Sequence, residues 1–333
     1  MRAPFDPSFY SEARGLLLWP ALALALALVG CTTSPIASGP ISSATASPTA
    51  ATSLPAAEYP LTVTDDDGTD VEIAARPERI VSLTPATTEI LFAVGAGDRV
   101  VATTDADDYP PEAVPLPDVA SFGSVDLEQI IALEADLVIA GGNEYTPSEA
   151  IRSLRDLDVT VVVTYAPTVD AVLADVELMG QAVGNIEEAH ELAETMQAEI
   201  GALTGAVADL PRKRVFYEID ASTAVYGPAD DSYLAEMIEL AGGEPITTGS
   251  AVSFEIPLER LVASDPEVIV LGDAAFGVTP EQVAARPAWD EMTAVREGAV
   301  RVADDKLITR PGPRLALGLR SLILAIHPEA RLP

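Results

Sequence analysis

The chain holds two histidines, His190 and His327, and one cysteine, Cys31, and this short supply limits its chemistry. A zinc site built from several imidazole or thiolate ligands is excluded by arithmetic, and one cysteine allows no intramolecular disulfide. A Ser-His-Asp or Cys-His device would have to use one of the two histidines. His190 lies in the polar run Glu187-Glu188-Ala189-His190-Glu191, and His327 precedes Pro328 near the C-terminus. Both are expected at the surface rather than as catalytic bases. Arg310 sits in Thr309-Arg310-Pro311-Gly312-Pro313, where proline and glycine hold a rigid loop. An arginine fork there can clamp a carboxylate or phosphate with paired N–H bonds. Alternatively it only flanks the last helix, which is expected to begin near Arg314. Glu89 is read as a carboxylate at a helix start, where the helix dipole favours it.

The positioning elements follow from size and pattern. At 333 residues, with 48% hydrophobic and 21% charged side chains, the chain has room for two domains with real cores. Its formal charge of −33 repels phosphate backbones, so nucleic-acid binding is not expected. The acidity itself reads as solubility outside the cell. Lys213 and Lys306 are the only lysines.

Gly15 to Val29 is almost wholly apolar, GLLLWPALALALALV, and follows Arg2 and Arg14. It is too short for a membrane span of ~20 residues and suits the core of a secretory signal. It ends Leu28-Val29-Gly30-Cys31, which resembles a bacterial lipobox. Residues 1–30 are therefore expected to be a lipoprotein signal peptide, with Cys31 lipidated. Residues 31–58, rich in Ser, Thr, Ala and Pro, read as a tether. A lipid with a tether places the folded part outside the cytoplasm, at the outer face of a membrane.

From Tyr59 onward, LTVTDDDGTDVEI reads as a hairpin turning at Asp67-Gly68. Short apolar strands then alternate with amphipathic helices, which indicates a parallel sheet flanked by helices. The chain also echoes itself without gaps. LEQIIALEADLVIAG (127–141) lies over LERLVASDPEVIVLG (258–272), each a short helix followed by an apolar strand. Likewise RIVSL with EILFAVGAG resembles RVFYE with EMIELAGG. Two related α/β lobes are expected, at 59–167 and 211–333. Between them, residues 168–210 keep helical spacing, with Gly180, Gly184 and Asn185 marking a break or kink.

Five stretches resemble the class III substrate-binding proteins of ABC importers, the family for vitamin B12, ferric siderophores and haem. They are RIVSLTPATTEILFAVGAGDRVVATTDADDYPPEA, VDLEQIIALEADLVIAGG, RVFYE, LERLVASDPEVIVLG and RPGPR. Ser82 to Glu89 and the run Asp108-Tyr109-Pro110-Pro111 carry the resemblance most specifically, and the vitamin B12 branch is nearest. The resemblance implies an α/β fold of two Rossmann-like lobes joined by a single long helix, and a binding protein rather than an enzyme. It implies capture of a metal chelate, with cobalamin or another corrinoid ahead of a ferric siderophore and haem. The partners implied are an ABC permease dimer with its ATPase, served by a monomer that needs no cofactor. An extracytoplasmic hydrolase and a ligand sensor are the competing readings. The ligand in such lobes lies at the loops after the strands, so Thr84, Asp108, Tyr109, Phe122, Tyr226, Phe254 and Arg310 are the candidate ligand contacts. Tyr109 can equally be a core residue braced by the following prolines. Ala106 and Gly141 stand where the branch has aromatic residues, while Phe122 stands where a stacking Trp is expected. Glu128 and Glu259 occupy equivalent first turns, with Asp126 and Gln129 as a capping-box pair before the first. They are either plain helix-start charges or, by resemblance, the residues that dock two basic pockets of a two-fold permease.

Overall fold

The computed structural model describes residues 57–143 and 145–333. The signal segment, Cys31 and nearly all of the tether lie outside the described residues. The first element is the expected hairpin, β1 (Leu61–Thr64) and β2 (Asp70–Ile73), antiparallel with Leu61 opposite Ile73. Gly68 at φ +75° closes its turn by donating to the Asp65 carbonyl at 2.8 Å.

The N-terminal lobe runs β3 (Ile80–Ser82), α1 (Pro85–Ala93), β4 (Val100–Thr104), β5 (Asp118–Ser121), β6 (Ser124–Val125), α2 (Leu127–Ala132), β7 (Leu137–Gly141), α3 (Ser148–Asp156) and β8 (Val161–Thr164). Its six strands lie in the order β6-β5-β4-β3-β7-β8, and only the β5–β6 pair is antiparallel. Two helices follow, α4 (Val169–Val183) and α5 (Ile186–Val207). The C-terminal lobe holds β9 (Lys213–Glu218), α6 (Tyr233–Leu240), β10 (Gly243–Pro245), α7 (Leu258–Ser264), β11 (Val268–Leu271), α8 (Pro280–Ala284), α9 (Thr293–Arg296), β12 (Val300–Val302), α10 (Asp305–Ile308) and α11 (Leu315–Ile326). Its strands are all parallel, in the order β10-β9-β11-β12.

The internal echo is thus a repeat of topology. Within each sheet the order β4-β3-β7-β8 corresponds to β10-β9-β11-β12. The aligned segments are α2–β7 and α7–β11, and both strands are wholly buried. Alternation along the N-lobe strands splits the core. Ile80, Leu137, Ile139 and Val162 face one cluster, while Val81, Val138, Ala140 and Val163 face another. The first cluster runs on through Met196, Leu203 and Val207 of α5 and Leu319, Leu322 and Ile326 of α11 to Val268 and Val270 of the second sheet. The helices α5 and α11 therefore bind the two lobes by apolar burial.

Residues 168–210 are two helices rather than one rod. Gly184 at φ +77° ends α4, and Asn185 is fixed by its own bonds. Its Nδ2 donates to the Val94 carbonyl at 2.7 Å, and its Oδ1 accepts from Arg76 at 2.9 Å and Arg99 at 3.1 Å. The single long helix into the second lobe is α5, whose 22 residues reach ~33 Å. Gly180 lets α4 close on it, because a Cβ there would lie 2.1 Å from that of Ala189.

Buried in α4, Asp175 meets Asp66 of the hairpin turn. Burial comes first and the neighbouring carboxylate second, and together they push the Asp175 carboxyl from 3.8 up to about 9. The folded state therefore keeps a proton that the unfolded chain gives up above pH ~4. The contribution of Asp175 to stability is fully present below that value and falls by up to ~1.4 kcal/mol per pH unit until the folded carboxyl ionises. Asp175→Asn should flatten this slope and raise stability at pH 8. Urea unfolding from pH 5 to 8 measures it, and equal slopes in both proteins would contradict the assignment.

Candidate functional site

In both sheets the loops after the parallel strands lie along one edge, and the candidate residues sit on these loops. Thr84 follows β3 and caps α1, its Oγ1 accepting the Thr87 N–H at 3.3 Å, with Pro85 at the first helical position. After β4, Asp107 accepts from both the N–H and the hydroxyl of Thr104, at 2.9 and 2.6 Å. That turn sets the neighbouring Asp108 toward the second lobe, where it meets Lys306 and Arg310, the latter at 2.6 Å. Partial burial works against ionisation of Asp108, and the hydrogen bonds from Lys306 and Arg310 outweigh it, holding the carboxyl below its ordinary value.

Glu89 corrects the reading from sequence. It lies past the first turn of α1, and its side chain is only 2% exposed. Arg314 donates to it twice, Nε to Oε2 at 2.8 Å and Nη2 to Oε1 at 2.5 Å, and Arg310 Nη1 adds a bond of 3.3 Å. The fork of Arg310 also donates to the Ala106 carbonyl at 3.1 Å. Arg314 lies 4.1 Å over the ring of Tyr109. Tyr109 is thus half-exposed with one face stacked, which answers neither of its two sequence readings alone. The Arg-Pro-Gly-Pro-Arg loop is therefore a seam between lobes, and its guanidinium forks are filled by protein acceptors.

The structure brings Asp108, Tyr109 and Arg310 together, with Glu89, Lys306 and Arg314 added. Phe122, Tyr226 and Phe254 stand on other loops of the same strand-end edges. Phe122 tips the β5–β6 turn beside Gly123, with its side chain 99% exposed. The backbone of Tyr226 bridges to Asp220 and Glu255, which sets Phe254 next to Gly227 on the adjacent strand segment. Sequence reasoning missed Tyr145, Tyr165 and Phe276, exposed aromatics after β7, β8 and β11. Each lies within five residues of the end of an apolar strand, and that spacing was the available signal. Gly141 carries no aromatic because there is no room for one: a Cβ there would lie 2.6 Å from Thr84 Cγ2 and 2.9 Å from Tyr145 Cβ.

Glu128 and Glu259 are both exposed, in the first turns of α2 and α7. Asp126 caps α2 by accepting the Gln129 N–H at 3.0 Å, whereas α7 begins at Pro257 without a side-chain cap. Each helix runs back from the strand-end edge to feed a parallel strand, so both glutamates emerge at that edge. His190 lies between Glu177 and Glu194 on the helical surface. His327 departs from expectation: it is fully buried at the end of α11, its Nε2 3.1 Å from the Gly242 carbonyl, which makes that nitrogen the donor. Among the described residues no group of three or more His, Cys, Asp or Glu side chains can hold a metal ion. No described helix is long and apolar enough to cross a membrane.

Comparison with known proteins gives a consistent picture. A family model described as periplasmic binding protein matches residues 80–307. The uncharacterized ABC transporter substrate-binding lipoprotein YvrC of Bacillus subtilis is 32% identical over 276 residues, covering 81% of this chain and 87% of that one. The crystal structure of the periplasmic vitamin B12 binding protein BtuF of Vibrio cholerae superposes with a TM-score of 0.67 at 28% identity, over 75% of this chain and 97% of that one. The apo periplasmic heme-binding protein RhuT of Roseiflexus gives a TM-score of 0.67 at 27% identity, over 75% of this chain and 98% of that one.

Proposed function

This chain belongs to the periplasmic binding protein family, as a substrate-binding protein of an ABC importer and not an enzyme, and from that premise we propose that it captures a corrinoid between its lobes and delivers it to a permease. The observation that carries this reading is the strand-end edge of both lobes. There, loops from the two sheets are joined by the Glu89–Arg310–Asp108 seam and carry exposed aromatics, Phe122 and Tyr145 on one side and Phe254 and Phe276 on the other. Exposed aromatic faces on a preformed scaffold suit a large ligand with apolar surfaces, and a flat macrocyclic chelate has them. The vitamin B12 binding protein among its structural relatives favours a corrinoid. A ferric siderophore or haem is the second reading.

Calorimetry of the purified protein should give binding of cyanocobalamin at one per chain, with no chemical turnover. Absence of heat with cyanocobalamin, ferric siderophores and haemin alike would remove the function. The sole cysteine at the end of an apolar signal core supports a lipid anchor at Cys31, and the lipoprotein among its relatives is in keeping with it. Cys31→Ser should leave the binding domain intact and move it out of the membrane fraction. A mutant still membrane-bound after carbonate washing would overturn the anchor.

A further inference from the structure

The seam between the lobes is rich in charge, and its basic groups are already matched. Lys306, Arg310 and Arg314 come from the C-terminal lobe, while Glu89 and Asp108 come from the N-terminal lobe. Glu89 lies inside and holds the two arginines, so its role is fixed by burial. Asp108 is different. Its side chain is 43% exposed on the loop after β4, and it contacts both Lys306 and Arg310 at the strand-end edge. Lys306 is 55% exposed, beside an open depression of about 540 Å³ lined by Ala274, Val302, Asp305 and Ser321. Asp305 accepts a hydrogen bond from Tyr217 at 2.7 Å and adds another carboxylate to that wall.

A ligand that presents carboxylates or other anionic oxygens needs open cations on the protein. Here Lys306, the most exposed of the three seam cations, and Arg310 share one aspartate, so an anionic ligand that approaches Lys306 meets Asp108 as well. Specificity of this kind comes from the repulsive element as much as from the attractive one. We propose that Asp108 is a specificity-determining residue: by occupying Lys306 and Arg310 it closes the cleft to anionic chelates and restricts the ligand class to chelates without net negative charge. This rests on the reading that the ligand lies at the strand-end loops between the lobes.

The test compares two flat macrocyclic probes, cyanocobalamin, which carries no carboxylate, and haemin, which carries propionates. Both are titrated against the detergent-solubilised full chain at one pH and ionic strength, and the readout is the ratio of the two dissociation constants. Wild type should prefer cyanocobalamin by about tenfold or more. Asp108→Asn, at an exposed side chain, takes the carboxylate from Lys306 while Arg310 keeps Glu89 and the Ala106 carbonyl, and should shift the ratio toward haemin by about tenfold. Lys306→Gln leaves the aspartate less neutralised and should shift the ratio the other way. Opposite shifts in the two variants support the charge mechanism, and the Lys306 variant still tests it should the Asp108 variant fail to fold. Wild type that binds haemin as tightly as cyanocobalamin, or variants that shift the ratio together, would overturn the proposal while the cleft reading stands. If neither probe binds any of the three proteins, the cleft reading falls and the proposal falls with it.

Discussion

Glu89→Gln should destabilise the folded protein by about 3 kcal/mol, the scale expected when one partner of a buried ion pair is removed. The Glu89 side chain is 2% exposed, and those of Arg310 and Arg314 are 14% and 21% exposed. Arg314 relies on Glu89 through two bonds, so the amide leaves its guanidinium charged and poorly solvated. Arg310 retains Asp108 and is affected less. For a folded part of this size the melting temperature should drop by roughly 5 °C. Glu128→Gln, at an exposed position, is the control and should stay within ~0.5 kcal/mol of wild type. A Glu89→Gln variant that melts like the control would mean that the seam does not hold the lobes together.

Glu128→Arg and Glu259→Arg should each abolish most of the stimulation of the importer's ATPase while ligand affinity stays at the wild-type level. This follows from the proposal that the two glutamates dock the permease. Both lie in the first turns of equivalent helices, α2 and α7, and both emerge at the edge where the strands end. A two-fold permease with one basic pocket per half meets one glutamate from each lobe. Truncation of one partner in a desolvated interfacial charge pair costs ~2–5 kcal/mol, so charge reversal should weaken docking by tenfold or more. ATPase assays in proteoliposomes measure this directly. Stimulation at wild-type levels in both variants would leave the glutamates as charges that suit a helix N-terminus. Loss of ligand binding with intact folding would place them on the wrong surface.

Much of the architecture was legible because it follows from local pattern. Short continuous apolar runs of β-branched residues such as Val268–Leu271 read as buried parallel strands between helices, and the echo of 127–141 in 258–272 put the second lobe on the same plan as the first. Position within the lobes was legible for the same reason. A helix that feeds a parallel strand starts at the strand-end edge, so the first-turn positions of Glu128 and Glu259 follow from the helix-then-strand pattern alone. Gly184 and Asn185 marked the break between α4 and α5 through their own backbone preferences.

The partners of Glu89, Arg310 and His327 were not legible, because burial and pairing are properties of packed surfaces and not of neighbours in sequence. Glu89 and Arg314 lie 225 positions apart, yet share two hydrogen bonds. A carboxylate near a helix start looks the same in sequence whether it meets water or an arginine from the other lobe. Likewise Arg310 reads from sequence as either a clamp for an anionic ligand or a flank of the last helix, and folding set Glu89 and Asp108 against its fork. The sequence by itself therefore determined the lobes, their order and the edge at which the loops carrying the candidate residues lie. Only the tertiary structure decided which charges at that edge are already neutralised, since that depends on side chains brought within a few ångströms of one another by the docking of α5 and α11 between the sheets.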